Sequence, residues 1–271
     1  AAGDLDVTGS ITIVGAGQAI TSIDSQQLDR VFDLAIGSSV ALRSLTITGG
    51  DTSGSADGGG IRNAGALTLS DVGVVGNHSQ HNGGGIATSG ALSVSNSSFA
   101  NNTVTLPDNS TGLGGGAISV SATASPVTIT NSTFNNNQAS GLIAYGGALL
   151  NESATVDVLQ STFTDNSVVG GVNGQSAGAA VATVRSGTTN IAVSNFTGNH
   201  ITNGNGGAVA ALSATQFASN STLLVSSSTF SGNIATAGSG GAIVGFNNST
   251  INVIDSTLNT NQANFGGAII V

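Results

Sequence analysis

The stretch "GSGGAIVGFNNSTINVIDSTLNTNQANFGGAIIV", residues 238–271, holds the key to the whole chain. It contains Gly-Gly-Ala-Ile twice, ending at Ile243 and at Ile269. Between the copies lie a short alternating run, "INVID", then Leu258 and, three residues on, Asn261. Upstream the same small-small-hydrophobic triplet recurs as Gly59-Gly60-Ile61, Gly84-Gly85-Ile86, Gly116-Ala117-Ile118, Gly147-Ala148-Leu149, Ala179-Ala180-Val181 and Gly207-Ala208-Val209. Its hydrophobic members are 25 to 34 positions apart. Each interval also holds a large apolar residue with Asn three later: Val74–Asn77, Phe99–Asn102, Phe134–Asn137, Phe163–Asn166, Phe196–Asn199, Phe230–Asn233 and Leu258–Asn261. Self-similarity at this period is the mark of a solenoid, in which each repeat is one structural unit.

Between the two motifs runs a segment of period two: "ALTLS", "ALSVS", "PVTIT", "TVDVL", "LLVSS" and "INVID". Alternation of β-branched and polar residues reads as a strand with one buried face. The second buried residue sits five before the Phe, Val or Leu in these six intervals. Before Phe196 the run is Ile191-Ala-Val193-Ser-Asn. There, either Ile191 holds the usual place or the corner has lost two residues. Strands this short, separated by Gly and Asn corners, cannot pair as hairpins at such a period. The expectation is an all-β, right-handed parallel β-helix of about nine to ten coils, three short strands per coil, ~45 Å long at the interstrand spacing. It forms one domain over residues 1–271, with opening coils over 1–57 and the GGA/FxxN repeats over 58–271. Small residues before the Ile allow a turn with positive φ and close approach of coils. Asn tolerates the left-handed conformation at a corner, and Asn77, Asn102, Asn137, Asn166, Asn199, Asn233 and Asn261 are placed to form an amide ladder. Phe99, Phe134, Phe163, Phe196 and Phe230 are expected to stack inside.

Composition bounds the function. Of 271 residues 41 are Gly and only 6% are charged, yet 39% are hydrophobic and recur in order, which argues against disorder. The net charge of −9, with four scattered arginines as the only Lys or Arg, excludes a nucleic-acid partner. There is no Cys, hence no disulfide framework and no thiolate metal site. No apolar run reaches the length of a transmembrane helix, and the start "AAGDLDVTGS" is not a signal peptide.

The alternation of GGA[ILV] with FxxN resembles the repeats of the polymorphic outer-membrane protein family, whose passengers are right-handed parallel β-helices carried by autotransporters. The segment Gly9–Gly50 looks like the opening coils of secreted bacterial β-helix repeat proteins. The resemblance implies an extracellular or cell-surface structural or adhesive protein, or the passenger fragment of a longer adhesin. Two departures stand against direct autotransport: no C-terminal barrel is present, and no cysteine accompanies the repeats.

Chemistry has few places to sit. A polysaccharide-active β-helix needs carboxylates and a base on one outer face. The outward positions of the alternating strand read Thr46 and Thr48, Thr68 and Ser70, Ser93 and Ser95, Thr128 and Thr130, then Asp157, Asn190 or Ala192, Leu224 and Asn252. One carboxylate in that list points away from an enzyme. The Thr and Ser pairs raise an ice-binding array, but the series breaks after Thr130 and half of it is Ser. Asp24, Asp29 and Asp33 around Arg30 read as a turn with a local ion pair. His78 and His81 in "GNHSQHNGG" read as two solvated histidines without a third metal ligand. No GGxGxD nonapeptide series is present, so a calcium roll is not expected, and neither metal nor cofactor is. Asn-x-Ser/Thr occurs at Asn96, Asn109, Asn131, Asn151, Asn220 and Asn248, as composition alone predicts. Insertions at 103–114, 167–175 and 210–222 break the period and are the expected lateral contact for a cell-surface or polysaccharide partner. Neither end carries a capping helix. Leu5, Val7, Ile11, Ile13, Phe265, Ile269, Ile270 and Val271 are therefore the candidates for head-to-tail contact between copies, if copies polymerise into a filament.

Overall fold

The computed structural model describes residues 3–53, 56–107, 113–121, 123–171, 174–212 and 220–271. Among these every regular element is a strand and every strand pairing is parallel. The coils stack as a β-solenoid of about nine turns, consistent with a right-handed parallel β-helix. The Gly-rich motif opens a ten-stranded sheet running from Leu5–Val7 through Phe32–Leu34, Ile61–Asn63, Ile86–Thr88, Ile118–Val120, Leu149–Glu152, Val181–Val184, Val209–Leu212 and Ile243–Phe246 to Ile269–Ile270. Its register sets like on like: Leu5, Phe32, Ile61, Ile86, Ile118, Leu149, Val181, Val209, Ile243 and Ile269 form one inward column. Within it Phe32–Leu34 pairs directly with Ile61–Asn63.

The second sheet carries the alternating run and then the Phe segment, as in Ala91–Ser95 followed by Ser98–Ala100. From the coil of Ile86 onward this face is divided in two, so that with an eight-stranded third sheet a coil has four short strands rather than three; a fourth sheet of Leu113–Gly114, Ala144–Tyr145, Ser176–Ala177 and Gly204–Asn205 adds a fifth in four coils, while the coils of Phe32 and Ile61 keep three. The division comes from one left-handed residue between the two segments, Asn96, Asn131, Gln160, Val193, Ser227 or Asp255 by coil. In Ser39–Thr48 and Ala66–Val75 the strand runs through this bend at Ser44 and Asp71. The Phe196 coil is resolved by the same feature: Ile191 pairs with Val158 and points inward, Val193 is the corner, and buried Thr189 replaces the first apolar residue.

The corner assignments need correction. None of the seven FxxN asparagines is left-handed. The residue before each is: Gly76, Asn101, Asn136, Asp165, Gly198, Gly232 and Thr260. Likewise the positive-φ glycine of the other motif is the one three before the Ile, such as Gly58, Gly83, Gly115 or Gly240. The residue just before the Ile is small for another reason. A Cβ at Gly60 or Gly85 would lie 2.7 or 2.6 Å from the carbonyl oxygen of Gly85 or Ala117 one coil on, and 3.1 or 3.3 Å from the amide carbon of Asn77 or Asn102, so the next coil's backbone and then the amide ladder crowd that position.

The Asn column is continuous. From Asn102 on, each side-chain oxygen accepts from both the backbone N–H and the amide of the Asn one coil earlier, as Asn166 Oδ1 does from Asn137 at 3.1 and 2.9 Å, while Asn77 Oδ1 accepts the Gly50 N–H. Each amide also donates to the carbonyl of the previous Phe position, as Asn137 does to Phe99 at 3.0 Å. Beside it the five Phe rings stack at 4.5 to 4.7 Å with planes within 5°. A second column, absent from the sequence reading, is formed by Ser97, Ser132, Ser161, Ser194, Ser228 and Ser256. Each Oγ accepts the backbone N–H of the coil before, at 3.1 to 3.2 Å, and donates to the carbonyl two residues earlier. These ladders satisfy the corner N–H groups that a bent sheet leaves without ladder partners.

Candidate functional site

The alternating face does not hold the hydroxyl array that the sequence suggested. Ala41 and Arg43, not Thr46 and Thr48, pair with Thr68 and Ser70, so the Thr/Ser series on this face spans only three coils. Side chains with chemistry gather instead outside the Gly-rich sheet. Its outward column reads Asp6, Asp33, Arg62, Ala87, Ser119, Leu150, Ala182, Ala210, Val244 and Ile270. The second half is apolar. There Leu150, Ala182, Ala210 and Val244 are fully buried, packed with Tyr145, Leu212 and Phe246 in small clusters outside the main core. The first half is polar and opens into a cleft between the third and sixth strands of the sheet, lined by Asp57, Arg62, Asn82, Ala87, Ser119 and Glu152 among others.

The cleft owes its shape to side-chain size. Ala87 and Ser119 are the short residues between Arg62 and Leu150, so the surface sinks over two coils. Ion pairs between coils fix its walls. The Arg62 Nε donates to Asp33 Oδ1 at 2.8 Å, and the Arg62 pKa is raised, first by that bond. Asp57 Oδ1 lies 2.5 Å from His81 Nδ1 and accepts the Asn82 N–H at 3.1 Å. Arg185, from a tight turn at positive φ, pairs through NH1 with Glu152 Oε2. Glu152 is the chain's single Glu and its side chain is only 12% exposed. Burial raises its pKa, against the opposing charge of Arg185; Asp57 raises it further and His81 lowers it.

The predicted site residues fall elsewhere or change company. His78 and His81 are not freely solvated: each meets a carboxylate of the coil before, Asp51 at 2.8 Å and Asp57 at 2.5 Å, partners 27 and 24 residues away that no local reading could supply. Among the described residues neither joins a set of three metal-type ligands. Around Arg30 the structure gathers Asp4, Asp29 and Asp33, at 3.4, 3.9 and 3.9 Å, while Asp24 turns away to the Gln26 N–H. Burial, then repulsion from Asp29 and Asp6, raises the Asp4 pKa. Asn151 is buried, with its amide bonded to Ala154, Thr188 and Thr189, and offers no acceptor for a sugar. The insertions begin inside strands, at Thr103–Thr105, Ser167–Gly170 and Val209–Leu212. Residues 108–112, Asn109 among them, and 172–173 and 213–219 lie outside the described residues. Of the end candidates, Leu5, Ile11, Phe265, Ile269 and Val271 are exposed, while Val7 and Ile13 pack against the main core and Ile270 against the outer cluster.

The outward column of the Gly-rich sheet is legible in the sequence as the residue after each motif Ile, as at Arg62, Ala87 and Ser119. Among the described residues there is no helix long and apolar enough to cross a membrane. Comparison with known proteins finds no matching family model, no similar curated protein and no similar solved structure.

Proposed function

We propose that this solenoid is a non-enzymatic adhesive or structural protein of the cell surface or extracellular space, with the cleft over Ala87 and Ser119 as its contact site. One observation carries the reading. A chain with 6% charged residues lines one depression with Asp57, Arg62 and its single Glu, each held by an ion-pair partner, His81, Asp33 or Arg185. The ladders support the structural half of the reading, since they make a stiff rod that holds such a depression at a fixed place along its length. The passenger of a longer adhesin is the same reading with a carrier attached.

Protease shaving of intact source cells is expected to release peptides of this chain, and beads coated with the purified chain to adhere to cells above an albumin control. Peptides found only after lysis, with beads no better than albumin, would sink the reading. Release of new reducing ends from cell-wall polysaccharide by the pure chain would instead make it an enzyme.

A second reading is head-to-tail association. It is supported by the inward column of the Gly-rich sheet, which keeps an apolar residue out to Leu5 and Ile269, both exposed. Sedimentation of the chain against a Phe265→Lys, Ile269→Lys double variant tests it: concentration-dependent growth that the lysines abolish supports association, and a monomer at all concentrations removes it.

A further inference from the structure

We propose that the cleft over Ala87 and Ser119 binds a neutral saccharide, and that it does so on the outer face of the Gly-rich sheet rather than through the lateral insertions. This rests on the adhesive reading above and gives it a ligand class.

The argument is one of complementarity. Asp57, Glu152 and Arg62 line the cleft, each beside its ion-pair partner, His81, Arg185 or Asp33, so hydrogen-bond acceptors and donors stand side by side. A sugar hydroxyl both donates and accepts, and vicinal hydroxyls match such a carboxylate–cation pair. Spare capacity exists for it. Arg62 spends only Nε on Asp33, so its terminal nitrogens have no partner among the described residues. His81 uses Nδ1 on Asp57, leaving Nε2. Ser119 adds a hydroxyl to the cleft lining. Acids and bases around the cleft nearly balance, so it has no excess of one sign to select a phosphate, a sulfate or a cation. The floor is small and uncharged, two coils wide, about 10 Å at the interstrand spacing, and suits a flat ring laid between charged walls. Every wall group is held by a partner from another coil, so the site is formed before a ligand arrives.

The geometry supplies a variant that fills the cleft without disturbing the fold. Leu150 occupies the outward column one coil beyond Ser119, so Ser119→Leu repeats a residue the sheet already carries. The purified chain is applied to a panel of neutral gluco-, manno- and galacto-configured tetrasaccharides beside uronate and sulfated counterparts, with titration calorimetry on any that bind. Binding is expected among the neutral members. It should weaken about tenfold or more in Ser119→Leu and in Arg62→Gln, and stay unchanged in Thr164→Leu on the Phe face. A melting curve for each variant confirms that it is folded. No neutral member bound at millimolar concentration, preference for the anionic members, or binding indifferent to a folded Ser119→Leu each overturns the proposal. Beads that adhere to cells equally well with Ser119→Leu would leave the adhesive reading standing while removing this site. Saccharide binding by a chain that shaving never releases would do the reverse.

Discussion

Asn137 carries more of this fold than its size suggests. Its oxygen accepts two bonds from Asn102, and its amide donates to Phe99 O and to Asn166, all in a fully buried position. Asn137→Ala therefore orphans the buried Asn102 N–H and takes one acceptor from the Asn102 amide, at the cost of unsatisfied buried groups, and is expected to destabilise the chain by about 3 kcal/mol or more. Asn261→Ala, in a partly buried last rung that no following Asn flanks, should cost clearly less. Urea titrations of the two variants measure the difference, and equal losses would contradict the ladder as a source of stability. Glycine offers a matched pair. Gly115 and Gly232 both have positive φ, at 70° and 64°, but a Cβ on Gly115 would lie 2.3 Å from Ile118 O whereas one on Gly232 meets nothing within 4 Å. Gly232→Ala should cost only the left-handed penalty, about 1–2 kcal/mol. Gly115→Ala should cost considerably more, because backbone must move. The same titrations decide it.

At the scale of strands and columns, stacking fixes what each position tolerates. The Phe column runs from Val74 through five rings to Leu258, so the space accepts a branched aliphatic at either end. Phe163→Leu should then cost about 1.5 kcal/mol or less, against about 3–5 kcal/mol for Phe163→Ala, which opens a cavity between two rings. Thermal unfolding of both tests this, and near-equal losses would mean that neighbouring coils collapse into the gap. Glu152 gives a pH signature. Its folded pKa is raised, chiefly by burial, above the ordinary 4.5, so in the window just above that value the folded chain binds more protons than the unfolded one. The groups facing it are Arg185, Asp57 and His81. Its contribution is therefore fully present at low pH and is lost as pH rises through the raised value. Denaturation of wild type and Glu152→Gln across this window should show the wild type losing relative stability as pH rises, and a constant difference would refute it. The columns themselves were legible because inward residues repeat every coil in one register. What stayed hidden was hidden for physical reasons. The third sheet buries a single residue per strand in several coils, such as Val104 or Ala139, too little for a periodic signal, so Thr103–Thr105 and Ser167–Gly170 read as the start of insertions. The Ser ladder hid in the abundance of Ser, although Ser two before each Phe was there to be seen. The cleft depended on contacts such as Asp57–His81 and Glu152–Arg185 that span a whole coil, whose length varies.

For the whole molecule the consequence is modularity. Each coil contacts its two neighbours, so stability is close to a sum of coil and interface terms rather than the property of one closed core. The register makes this testable by excision. Asn199 and Asn233 are 34 residues apart and occupy consecutive rungs, and His200 pairs with Ile234 as the first residue beyond each. Deleting residues 200–233 joins Asn199 directly to Ile234. The Asn, Ser and Phe columns and the inward column of the Gly-rich sheet would each lose one member and close up, with like residues again opposed. That variant is expected to remain a folded parallel solenoid, one interstrand step shorter, about 4.8 Å, with hydrogen-exchange protection preserved in the coils of Ile61 to Glu152. Deleting only residues 200–216 removes half a coil, sets the Gly-rich strand of one turn against the wrong face of the next, and points apolar residues at solvent, so it should not fold. Small-angle scattering and exchange protection distinguish the outcomes. A full-coil deletion that unfolds the cleft coils would show long-range cooperativity that nearest-neighbour stacking does not contain. If the variant folds, the cleft should bind as the intact chain does, because the excised coil contributes none of its walls.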